Sequence, residues 1–142
     1  MLLNRTSEPR LTGATSVFAK DGTVLVTSAT MGEIKVVTTQ SQPGFNPLDL
    51  LYAALSSCLS LSASIAAVQL GVADRIETIE VRVTGERSTE KRSRVEEFHV
   101  ALSISGDVDR HTREQVGKLA LEIGTIGNTI RGNPTISMIY DD

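Results

Sequence analysis

The chain has 142 residues, a formal charge of −3 and one cysteine. Its length suits one domain, residues 1–142, with a single core that buries roughly 70 % of the surface exposed on unfolding. The mildly acidic balance excludes the basic field that captures nucleic acid or an anionic membrane by counterion release, and a lone cysteine cannot close an internal disulfide, so a reducing compartment, by default the cytoplasm, is expected.

Met1-Leu2-Leu3-Asn4-Arg5 turns polar after two leucines with no small-residue cleavage site behind it, so no signal peptide is expected. Short apolar runs at Ser16–Phe18, Val24–Val26 and Ile34–Val37, punctuated by Asp21-Gly22 and Met31-Gly32-Glu33, predict an antiparallel meander. Pro43, Gly44 and Pro47 mark a loop. Asn46 is placed to cap a helix that has Pro47 at its first position and Asp49 in its first turn, where a negative charge complements the helix dipole. That helix should run to about Leu70 and stop at Gly71.

The stretch Leu50–Leu70 holds no charge and has the length of a bilayer span. Five serines, Gln69, alanines of little transfer energy and flanks without a Lys/Arg bias argue against insertion. A helix that is apolar nearly all round and outside lipid must be buried in protein. In a chain with few other layers to cover it, this favours a homodimer over a lone monomer.

Ile76–Glu86 and Val95–Ile104 alternate apolar and polar residues and predict a long hairpin. Its charged connection, Arg87–Arg94, reads as a solvated loop. A second helix should open at Asp107–Asp109, with Thr112 and Gln115 at capping-box spacing and Val116, Leu119, Ala120 and Ile123 as its apolar stripe. Gly124-Thr125-Ile126-Gly127 should end it, and Thr135–Tyr140 alternates as a last strand. The order of elements is α+β, not the βαβ alternation of a parallel sheet.

Few residues carry chemistry. Neither His99 nor His111 has a second ligand at metal spacing in the sequence, so no metal is expected. No glycine-rich phosphate loop precedes a helix, and no cofactor is implied. Cys58 falls about three turns into the apolar helix, beyond the reach of its N-terminal dipole. From burial alone it reads either as a small core residue or as a reactive thiol whose pKa a cation from elsewhere must lower.

Asn46-Pro47-Leu48-Asp49-Leu50-Leu51-Tyr52-Ala53-Ala54-Leu55-Ser56-Ser57-Cys58 resembles the helix signature of the OsmC/Ohr family, and Glu122–Ile130 resembles its second motif. The resemblance implies antiparallel sheets wrapping long central helices in an intertwined homodimer. It also implies reduction of organic hydroperoxides or hydrogen peroxide, in which the first-motif cysteine is oxidised to a sulfenic acid, a second-motif cysteine resolves it, and external thiols reduce the product. Carried over, Cys58 matches the attacking cysteine and Asp49 the acidic residue. Arg10, in preference to Arg5, stands for the activating arginine. Gly124 stands where the resolving cysteine belongs, and Asp49 is shorter than the family's glutamate. Two readings follow: a one-cysteine peroxidase reduced by an external thiol, or a non-catalytic stress or ligand-binding protein. A hydrolase with Cys58 as nucleophile would need His99 or His111 beside it.

Overall fold

A computed structural model describes residues 11–39 and 41–141. It divides into two compact units between Leu50 and Leu51. The first holds an antiparallel meander of β1 (Ala14–Phe18), β2 (Val24–Ser28) and β3 (Glu33–Val36). Its turns use short polar side chains in place of missing ladder bonds. Asp21 Oδ1 accepts from the Thr23 N–H at 3.0 Å, and this bond holds the Asp21 carboxyl below its ordinary range. In the next turn Ser28 Oγ accepts from the Gly32 N–H at 2.9 Å.

Helix α1 spans Pro47–Gln69. Its end is built by glycine, as expected: Gly71 takes φ +71°, a left-handed conformation that costs a residue without Cβ nothing. This lets the Gly71 N–H reach the Val68 carbonyl at 3.1 Å and the Val72 N–H reach the Ala67 carbonyl at 2.9 Å. Val72 is thereby turned into the core.

The second unit carries the long hairpin of β4 (Ile76–Arg87) and β5 (Val95–Gly106), then α2 (Arg110–Ile123) and α3 (Thr125–Arg131). Its core is made of Ala63, Ala66 and Ala67 of α1, Val72, Ile104 of β5, Val108, and Val116 and Ala120 of α2. The alanines let neighbouring elements approach α1 closely, and Val116 is fully buried, worth about 2 kcal/mol by area removed from water. Closer to the amino end of the helix, Tyr52 docks on the hairpin. Its ring lies over Gly85, where a Cβ would come within 2.8 Å of its Oη. It meets Phe98, the cross-strand partner of Gly85, edge-on at 6.1 Å.

Three details differ from the sequence reading. The N-cap of α2 is Asp109, which accepts from the Thr112 N–H at 2.7 Å, so Thr112 is the donor within the box and not the cap. The same bond lowers the Asp109 pKa. Second, the segment after Gly124 is a helix and not a terminating loop. The glycine breaks the axis for one residue and α3 then caps α2: Asn128 Nδ2 donates to the Glu122 carbonyl at 3.0 Å and an Arg131 Nη to the Leu121 carbonyl at 2.9 Å, satisfying acceptors at a helix end that favours positive charge. Third, Thr135–Tyr140 forms no strand. Alternation alone supplies one side of a ladder, and no strand of this chain pairs with it among the described residues.

The open end of the hairpin is at Gly106, whose φ of +125° and proximity to the Arg75 carbonyl oxygen leave no place for a side chain. Gly106→Ala should therefore cost about 3 kcal/mol, seen as a lower urea midpoint at unchanged slope; a loss below about 0.5 kcal/mol would show that the hairpin end adapts freely.

Candidate functional site around Cys58

Cys58 is half-buried on α1. It flanks the buried stripe of Leu55, Leu59, Ser62, Ala63 and Ala66 and sits three residues after Leu55 and four before Ser62, on the same side of the helix as both. The corner between α2 and α3 packs against this side. A Cβ on Gly124 would lie 3.6 Å from Leu59 Cδ2 and Ser62 Oγ, and one on Gly127 would lie 3.7 Å from Leu55 Cδ1. Thus the two sequence motifs, 60-odd residues apart in the chain, meet on the turns around the thiol.

The serines of this stretch enter an apolar helix by bonding to its own backbone. Ser57 Oγ donates to the Ala53 carbonyl at 2.7 Å and Ser60 Oγ to the Ser57 carbonyl at 2.9 Å. Gly124 is buried with φ −69° and ψ 114°, a backbone conformation open to any residue. A Cβ there would nonetheless lie 3.1 Å from the Ala120 carbonyl oxygen, a close approach that favours glycine.

Asn46 caps α1 and Asp49 stands in its first turn, as the sequence predicts. The Asp49 N–H donates to Asn46 Oδ1 at 2.9 Å, while its Oδ2 accepts from the Asn46 N–H at 3.0 Å. This is the reciprocal box that satisfies orphan donors at a helix start. Nine positions separate Asp49 from Cys58 in the sequence. Arg10 and Arg5 lie outside the described residues.

The histidines are not gathered around Cys58. His111 is exposed in the first turn of α2. His99 lies on the outward face of β5, its Nε2 3.2 Å from Glu86 Oε1 and its Nδ1 4.0 Å from Glu97 Oε1. The sequence shows no ligand near it at metal spacing because the neighbour on β4 arrives through strand register. Below Leu59, an apolar cleft of about 140 Å³ is lined by Val81, Val100, Leu102, Gly117, Ala120 and Leu121.

The OsmC-like protein family model matches residues 39–139. The chain belongs to the OsmC-like family. No curated protein sequence matches it significantly. Among solved structures it is similar to an OsmC-like protein of Mycoplasma pneumoniae, with a TM-score of 0.74 and 20 % identity over 87 % of this chain and 89 % of that one. It is also similar to the organic hydroperoxide resistance protein OhrB of Bacillus subtilis, with a TM-score of 0.67 and 17 % identity over 86 % and 91 % of the two chains. An organic hydroperoxide resistance protein OsmC of Legionella pneumophila matches with a TM-score of 0.64 and 18 % identity over 88 % and 92 %. These likenesses establish the α+β OsmC-like fold expected from the two motifs.

If Asp49 serves the helix start, Asn46→Ala and Asp49→Ala should each cost about 1 kcal/mol, and the double variant should lose clearly less than their sum in urea unfolding, because both changes break one reciprocal pair. Strictly additive losses would remove the capping role.

Proposed function

We propose that this OsmC-like protein is a soluble, cytoplasmic stress protein that reduces organic hydroperoxides or hydrogen peroxide through Cys58, with external thiols completing the cycle. The observation that carries the reading is the convergence of both family motifs on the turns around a half-buried, unbridged cysteine, in a fold shared with organic hydroperoxide resistance proteins.

In the proposed cycle the Cys58 thiolate attacks one peroxide oxygen and the O–O bond breaks. Two electrons pass from sulfur, and the alkoxide leaves and takes up a proton as the alcohol. Cys58 becomes a sulfenic acid. Gly124 offers no thiol to resolve it, so an external thiol condenses with the sulfenic acid, releasing water and leaving a mixed disulfide. A second thiol then exchanges with that disulfide and frees Cys58. No cofactor enters the balance. A cation must hold the thiolate ready, and the family resemblance assigns that part to Arg10, with Asp49 as the acidic partner; the capping box ties Asp49 to the helix start in the present conformation.

A homodimer is part of the proposal. By length and composition alone α1 could cross a membrane, yet one side of it is buried against its own chain. The other side leaves Leu61 67 %, Ile65 52 % and Val68 67 % exposed, and the final segment leaves Ile136 92 % and Tyr140 86 % exposed. Such apolar surface is what a second copy would cover.

The apolar cleft below Leu59 favours a second reading, in which the protein binds a small apolar ligand without turnover and Cys58 is a sensor or a core residue.

Reduced protein mixed with a slight excess of cumene hydroperoxide and trapped with a dimedone-type reagent should gain one adduct within seconds by intact mass, and Cys58→Ala should gain none. Labelling no faster than that of free cysteine would leave the ligand-binding reading. Sedimentation at micromolar concentration should give a dimer; a pure monomer would count against the proposed assembly.

A further inference from the structure

The hairpin carries a second cluster of reactive groups, away from the turns around Cys58. Glu86 on β4 and Glu97 on β5 are direct cross-strand partners, and His99 lies two residues beyond Glu97 on the same face, opposite Thr84. The register shift between Glu86 and Arg87 produces this set: Arg87 pairs with Val95, Glu86 with Glu97, and Glu96 is left as the extra residue. A bulge re-aims the side chains beyond it, and in the resulting register it is Glu97, with His99 two residues on along the same face, that stands opposite Glu86.

Two like charges directly opposite on a sheet face destabilise the pair. Among the described residues the arginines of the adjoining loop do not relieve this pair: Arg94 reaches Glu90 at 3.5 Å and Glu96 at 3.4 Å, and Arg87 donates to Ser93 Oγ at 2.7 Å. The imidazole is the group that comes between them, and one ligand atom from each of Glu86, Glu97 and His99 lies within 4.8 Å of the others. An imidazole with two carboxylates is a donor set that first-row divalent metals accept, and three ligands on an open face leave positions for water. The three side chains are between 48 % and 68 % exposed, so small rotations can close the distances without moving the backbone.

We propose that Glu86, Glu97 and His99 form a surface site for a first-row divalent cation, clamping β4 to β5 at the charged end of the hairpin. The site is distinct from the Cys58 chemistry and does not depend on it. One imidazole and two carboxylates with little burial make a weaker site than a closed four-ligand centre.

The test is calorimetric titration of reduced, metal-free full-length protein with ZnCl2, together with the His99→Ala, Glu86→Gln and Cys58→Ser variants. All three substituted positions are exposed or half-buried, and thermal melts without zinc verify that each variant is folded. The expected result is one zinc per chain, with affinity weakened at least tenfold by His99→Ala and by Glu86→Gln and unchanged by Cys58→Ser. Zinc should also raise the melting temperature of the wild type but not of His99→Ala, since a ligand that binds only the folded state stabilises it. Absence of a site tighter than millimolar, or a site lost with Cys58→Ser and kept in His99→Ala, would overturn the proposal.

Discussion

The rest of the structure depends on the covering of α1. Between Asp49 and Asp74 the chain has no charged residue, so nearly every face of this helix prefers contact to water. The protein meets this with small side chains: Ala63, Ala66 and Ala67 allow β5 and α2 to come close enough to exclude solvent from one side, and the serines turn their hydroxyls back onto helix carbonyls. Tyr52 then fixes the amino-terminal part against the hairpin by lying in the space that Gly85 leaves open. Cys58 inherits its environment from this arrangement. It stands where the covered side gives way to the uncovered one, neither sealed in the core nor free in solvent.

Much of this was legible in the sequence because it rests on periodicity and end signals. The meander, the start of α1 at Asn46-Pro47, its stop at Gly71 and the alternation of both hairpin strands are local patterns, and local hydrogen bonding decides them. The failures have equally physical causes. Gly124 and Gly127 read as helix breakers, but only Gly124 breaks; Asn128 and Arg131 recover the carbonyls it exposes and start a new helix. Thr135–Tyr140 has the alternation of a strand, but a strand exists only where another edge accepts its hydrogen bonds.

The candidate site residues divide in the same way. Cys58 could be located from the helix pattern and the family motif. Asp49 could be located too, and its side chain satisfies the helix start that Asn46-Pro47 marks in the sequence. Glu86, Glu97 and His99 lie up to thirteen positions apart in the chain and become neighbours only through the register of β4 with β5, bulge included. No spacing rule on the sequence finds such a set.

Gly124 has a consequence for the evolvability of the site. Its backbone is in an ordinary extended conformation, and its Cα faces the turn of α1 that follows Cys58. A Cβ at that position would also lie 3.1 Å from the Ala120 carbonyl oxygen, so any side chain there, a thiol included, asks the corner between α2 and α3 to give by a few tenths of an ångström, and the absence of a second thiol is tied to how closely that corner is packed.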